Sequence, residues 1–516
     1  MNRAMPRHER RKQIRLLKEQ QNRKGVCYPP VTTLPNCKSD LKTVAEEKAV
    51  VQEATEEKLR IYKLLLPGLL KKLARISDPR SPGKVKHKIT VLMLYGILMF
   101  AFQMDSRRRT NREMTTPQLL ENLKAVFPEL EEMPHQDTLC RLLEEIDVTE
   151  IEITYIDLLR QLIGKKKFKD LLHRKRFLVA VDGTQKYVMR ECWDERYLRR
   201  KIPGKEGEYQ YYAYVLEAVI VFSNGMVLPL LSEFLENSPE LERIESDAAW
   251  KQDCELKAFR RLAKRLKREF PRLRITLLLD GLYANGPIME ICRKNRWKFI
   301  IVLKDGSLTT VWQDGEGLMR LDTEGDYRHE QMWQGRRQVF RWANDIEYEY
   351  EFERRKKYLQ LHLVICDESW LEIDKNGSRV TRTTRHAWIV NEPLTRGNVH
   401  SLCNLAARKR WLHENCILKE KHHGYCYEHI FSYHWEAMRG YHYLMHIGRM
   451  LNEMAMHSVY LTGHVKKFGM RQFIRNLREA VRHRALDTER LHRMAASPGQ
   501  LRLVCEDNWK TSRSAA

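Results

Sequence analysis

The sequence predicts an α/β protein: a mixed sheet with helices against it, an all-α region before it, and helical elements after it. Three observations carry that reading. Two aliphatic runs, Phe177-Leu178-Val179-Ala180-Val181 and Ile275-Thr276-Leu277-Leu278-Leu279, each lead into Asp-Gly. They read as buried strands that deliver a carboxylate, Asp182 or Asp280, at the strand's end. From the first run to Leu303 the texture follows the order β-β-β-α-β-α-β, which suits a mixed sheet covered by helices. On both sides of this region the apolar spacing is helical instead.

Taken in order, residues 1–26 form a basic tail, with Arg3, Arg7, Arg10, Arg11, Lys12, Arg15, Lys18, Arg23 and Lys24 against only Glu9 and Glu19. Such a segment is expected to lack fixed structure until it meets phosphate, or to be a solvated tail. Residues 27–172 read as an all-α DNA-binding and assembly region. Its helix starts fall at Thr115-Thr116-Pro117 and His135-Gln136-Asp137-Thr138, where polar caps precede apolar-periodic runs. The core opens with residues 173–303. Tyr211 to Phe222 and Met226 to Leu231, separated by Ser223-Asn224-Gly225, predict a hairpin. A basic helix from about Asp253 to Phe270 stops at Pro271. Residues 304–397 carry further strand-like segments and read as a β-rich insertion. Residues 398–450 complete the core, and 451–516 form a helical, basic C-terminal region.

Composition bounds the partner. The 516 residues hold 92 Lys plus Arg against 68 Asp plus Glu, a net charge of +24, which favours a polyanion such as nucleic acid. Net charge alone speaks equally to solubility. The 11 cysteines show no disulfide framework and Met1 is followed by a basic stretch, so a reducing cytoplasm is the expected compartment. The longest apolar stretch, Ile89 to Phe102, falls short of the roughly 20 residues that span a bilayer. It is expected to be a buried helix, with no membrane partner.

A third acid completes the chemistry. Glu414 stands in Arg410-x3-Glu414-x6-Lys421. At i and i+4, Arg410 and Glu414 would share a helix face, with Lys421 about two turns further on. Two strand-end carboxylates and one from a helix can hold two divalent ions about 3.5–4 Å apart, which suits in-line attack on a phosphodiester. Taken alone, each part has a plainer reading. Arg410, Glu414 and Lys421 match a surface ion-pair ladder. Asp-Gly commonly marks a turn, as it would at Asp305-Gly306 after another strand. Trp411 and Tyr425 flank the motif and could stack on an unpaired base or simply fill core. His413, Cys416, His422, His423, Cys426 and His429 are ligand types for a structural zinc, at irregular spacing.

Together these residues resemble the DDE transposases of bacterial insertion sequences, in the branch with a Tyr-x2-Arg-x3-Glu-x6-Lys signature. The likeness covers roughly residues 170–450. Asp182 and Asp280 match the first two acids. Arg410, Glu414 and Lys421 match the third motif, extended by His423-Gly424-Tyr425 and Glu428-His429. Ala407 departs from it, standing where the family usually has Tyr beside an extruded base, so a hairpin intermediate is not implied. The resemblance implies a ribonuclease-H-like core and two Mg²⁺ or Mn²⁺ ions on Asp182, Asp280 and Glu414. Arg410 and Lys421, with Trp411 and Tyr425, would contact DNA. Asp305 stays outside the site because the match places the second acid at Asp280. The implied activity is cut-and-paste transposition on double-stranded DNA, between terminal inverted repeats and a target, by a nucleoid-associated homodimer on paired ends. Two other readings remain open: a catalytically inactive DNA-binding relative, and a structure-selective nuclease of the same fold.

Overall fold

The computed structural model describes residues 5–28, 38–128, 130–205, 207–237, 254–352, 354–496 and 500–505. Arg3 and the expected helix start at Asp253 lie outside them. Among the described residues, in chain order, seven α-helices come first: α1 (Arg7–Arg23), α2 (Val44–Leu73), α3 (Ile89–Ala101), α4 (Arg107–Met114), α5 (Pro117–Lys124), α6 (Gln136–Glu145) and α7 (Thr149–Gly164). Strands β1 (Phe177–Met189), β2 (Leu198–Lys201), β3 (Tyr209–Val221) and β4 (Val227–Leu235) follow, then α8 (Glu255–Glu269). Next come β5 (Ile275–Leu279), α9 (Gly286–Lys294), β6 (Lys298–Val302), α10 (Thr309–Leu321), β7 (Arg328–Trp333), β8 (Arg336–Phe352), β9 (Arg355–Ile373) and β10 (Arg379–Val390). The last described helices are α11 (Trp411–His422), α12 (Trp435–Met456), α13 (Thr462–Phe468), α14 (Met470–His483) and α15 (Thr488–Ala496).

The chain forms two compact units, Met1–Thr33 with Ile275–Arg410, and Leu34–Arg274 with Trp411–Ala516. In the first, β5 and β6 run parallel, and the sheet continues antiparallel in the order β6-β10-β9-β8-β7. The strands expected as an insertion therefore extend the sheet that β5 and β6 begin, because β10 pairs directly with β6. The basic N-terminal segment is not an unstructured tail. It folds as α1 and docks on this sheet: the Arg10 guanidinium donates to Ile373 O at 3.0 and 3.2 Å and lies 3.8 Å from Glu372. Leu17 is its buried apolar anchor, while Arg7, Arg11, Lys12, Arg15 and Lys18 stay exposed.

In the second unit α3 is buried on every side, so its uniformly apolar sequence marks a core helix. It lies along α12, which is buried along nearly its whole length and also packs on α6, α7 and β4. Close approach of α3 and α12 depends on Gly448, where a Cβ would come within 2.9 Å of Ala101 N and Ile97 O. Helix starts follow the caps read in the sequence: Thr116 precedes Pro117 of α5, and His135 Nδ1 accepts from the Asp137 N–H at 3.2 Å. The expected hairpin forms between β3 and β4, with Gly225 in the left-handed region and Asn224 Oδ1 accepting from the Met226 N–H at 3.1 Å. β1 pairs with the other edge of β3. No described helix is long and apolar enough to cross a membrane.

Candidate functional site

β1 does not end at Asp182. It runs on to Met189 and places Asp182 mid-strand, directly opposite Glu217 of β3. The aliphatic run stops at Val181, but the ladder with β3 holds the polar residues in extended form. Paired residues of an antiparallel ladder project to one face, so Asp182 and Glu217 leave the sheet together. The next pair in the ladder faces the other way. A Cβ on Gly183 would meet Glu255 Oε1 and Tyr214 Cε1 at 2.7 Å, and the Tyr214 hydroxyl donates to Glu255 Oε1 at 2.5 Å. The start of α8 therefore occupies that opposite face. The Asp182 face is covered by α11 and α12, since Tyr427 and two α12 histidines reach Glu217 there and α11 packs on β1 and β3.

Glu414 lies in the first turn of α11, half-buried. Later in α11, Lys421 is ion-paired to Glu428 at 2.9 Å. Trp411 is 60% exposed, whereas Tyr425 is 3% exposed and its hydroxyl accepts from Asn452 Nδ2 at 2.9 Å. For Tyr425 the plainer reading holds: its ring fills the core and offers no stacking face. The zinc ligand set between His413 and His429 does not assemble among the described residues. Cys416 Sγ instead faces the Arg449 guanidinium, and His422, His423 and His429 are exposed.

In the first unit Asp280 does follow its strand end. Its Oδ1 caps the turn Gly281–Tyr283 through the Leu282 N–H at 2.6 Å, and Oδ2 lies 3.2 Å from Lys304 Nζ. Asp305 is exposed in a turn whose Gly306 has φ +82°, as the turn reading requires. Arg410 closes the 3₁₀ turn Ala407–Arg410, which follows the π-helical stretch Ser401–Ala406 and packs against β5. Regular α-helix begins only at Trp411, so the single helical face assumed for Arg410 and Glu414 changes pitch between them. The turn is tethered by Arg408, whose guanidinium donates to buried Glu368. Ala407 is buried at 5% exposure.

Two features escaped the sequence reading. One is a groove of about 920 Å³ in the second unit, where Lys419 and Lys421 of α11 face Arg471, Arg475 and Arg478 of α14, with Asp105, Arg109 and Glu479 at its walls. The other is a buried polar cluster around Glu217. The Tyr427 hydroxyl donates to Glu217 Oε1 at 2.6 Å, Lys186 Nζ lies 3.2 Å from His442 Nδ1, and His442 Nε2 is 2.9 Å from Ser232 Oγ. Burial alone would raise the Glu217 pKa, but His446, His442 and His413 hold it well below the usual carboxylate range. Burial lowers His442, with repulsion from His446 and Lys186 adding to it, and burial brings Lys186 down to about 8. His442 and His446 recur at helical spacing and Glu217 interrupts an apolar strand. Either signal alone reads as a satisfied core residue, and only the fold joins them.

Residues 70–159, which run from the end of α2 into α7, match the family model described as DDE_Tnp_1-associated. That match covers less than a fifth of the chain. No curated protein matches the chain.

Proposed function

We propose that this chain is a DDE-type DNA transposase with a ribonuclease-H-like core, carrying out metal-dependent cut-and-paste transposition. The carrying observation is the DDE_Tnp_1-associated match in the unit that sets Asp182 and the α11 helix of Glu414 over one sheet face. Asp182, Asp280 and Glu414 are hard oxygen donors of the kind Mg²⁺ or Mn²⁺ takes, and none of the three is fully buried. Asp280 already faces a cation, Lys304. Two ions held there would supply a water or 3′-hydroxyl nucleophile at neutral pH and polarise the phosphate.

The chain's own side chains do the rest of the work in this reading. Arg410 and Lys421 hold phosphate oxygens beside the scissile bond and stabilise the charge that develops there. Exposed Trp411 offers a stacking face for a displaced base. The basic groove beside Lys421 tracks the duplex backbone, and two copies act on paired ends of double-stranded DNA.

The test is single-turnover cleavage and strand transfer with Mn²⁺ on duplexes carrying the DNA that flanks the coding region. Cleavage and joining by the parent protein, both lost in Asp182→Ala, Asp280→Ala and Glu414→Ala with DNA binding retained, is the expected result. Binding without cleavage would favour the inactive DNA-binding relative. Cleavage without joining of a pre-cut end would favour the nuclease.

A further inference from the structure

The buried cluster on the Asp182 face has the make-up of a metal site that transposition chemistry does not require. Glu217 is 1% exposed on β3, and His442 and His446, at 2% and 5%, are one turn apart on α12. Nε2 of His442 and Nε2 of His446 lie 3.9 and 3.7 Å from Glu217 Oε1. One donor atom from each residue falls within 4.8 Å of the others, and no other such group of three occurs among the described residues. Donors around a tetrahedral zinc stand about 2 Å from the ion and hence roughly 3.3 Å from one another. Closing this triangle needs only side-chain adjustment.

One further observation points to a missing partner. His446 Nε2 and Glu217 Oε2 are buried without a hydrogen bond, and leaving polar atoms so costs free energy unless something else satisfies them. Outer contacts already orient the carboxylate and supply a further oxygen: the Tyr427 hydroxyl donates to Glu217, and the Ser232 hydroxyl lies beside His442 Nε2.

We propose that Glu217, His442 and His446 bind one structural Zn²⁺ ion, pinning β3, the strand paired with Asp182, to the central helix α12. Two imidazoles and one carboxylate suit borderline Zn²⁺ better than Mg²⁺. The proposal does not depend on the transposase reading.

The full chain, purified without chelator or polyhistidine tag, is analysed for metal by mass spectrometry. It is then stripped and titrated with ZnCl₂ by calorimetry, with MgCl₂ in excess throughout. About one zinc per chain, taken up again after stripping and accompanied by a higher Tm, is the expected result. Glu217→Gln and His446→Ala should each lose that uptake, whereas Asp182→Asn should keep it. A parent protein that is purified without zinc and takes none up would overturn the proposal. So would folded Glu217→Gln and His446→Ala proteins that bind zinc as the parent does.

Discussion

At the scale of single residues, Glu368 has the most measurable electrostatic signature. Burial by itself raises its pKa, but His386, Gln338, Arg336 and Arg408 outweigh burial and bring it down to about 2. A carboxylate whose folded pKa is depressed adds stability above its ordinary value of 4.5, and that stability disappears as pH falls towards 2. The shift corresponds to something on the order of 3 kcal/mol. Glu368→Gln should therefore lose about that much stability at pH 7 and flatten the acid limb below pH 4.5. Urea unfolding of both proteins across that range checks it, and parallel acid limbs would remove Glu368 as the cause. Arg410 and Lys421 make a second residue-scale prediction. If they act on the scissile phosphate, Arg410→Ala and Lys421→Ala should bind end DNA within a few-fold of the parent. They should cleave it roughly 10²–10³ times more slowly, the scale of losing one preorganised donor. Near-parental cleavage at saturating protein would return both to the ion-pair ladder, where each costs under about 1 kcal/mol.

Among elements, those fixed by local pattern were legible and those fixed by pairing were not. The aliphatic run before Asp280 ends as read, because β5 is short and its Asp caps the next turn. The similar run before Asp182 continues as strand, since seven further ladder partners on β3, from Glu217 to Tyr211 with one irregularity, keep it extended. No local signal could announce Glu217 as the cross-strand neighbour of Asp182, because strand register is a property of two distant segments. The basic N-terminal helix was misread for a related reason. Arg10 finds its partner, the Ile373 carbonyl of β9, 363 residues away. Glycine in α12 gives the element-scale prediction. Gly448→Ala gains about 1 kcal/mol of helix propensity, but its methyl would lie 2.9 Å from backbone atoms of α3, which cannot rotate aside. Overpacking of that kind costs roughly 1–3 kcal/mol, so the net change should be destabilising. A raised midpoint in denaturant would show instead that α3 and α12 can separate without loss.

For the whole molecule, a net charge of +24 does not say which cations meet phosphate, but the fold sorts them. Arg482 and Arg109 of the second unit are committed to the buried Glu113 carboxylate, at 3.1 and 2.7 Å, and Lys467 pairs with Asp40 at 2.6 Å. Arg471 and Arg475 are different. Both are exposed along the groove beside Lys421, without an ion pair among the described residues. Each phosphate neutralised by such a side chain releases condensed counterions and adds about 0.9 to the slope of log affinity against log salt. The double change Arg471→Ala with Arg475→Ala should then lower that slope by nearly 2 and leave thermal stability within about 0.5 kcal/mol of the parent, as expected for exposed positions. Arg482→Ala should do the reverse. Removing one partner of a buried carboxylate lowers stability, while the salt slope stays where it was. Duplex binding at several salt concentrations, read beside unfolding of the same proteins, separates the two classes of arginine. Equal slopes for the parent and the Arg471, Arg475 double variant would take the groove out of the DNA path, whatever the overall charge.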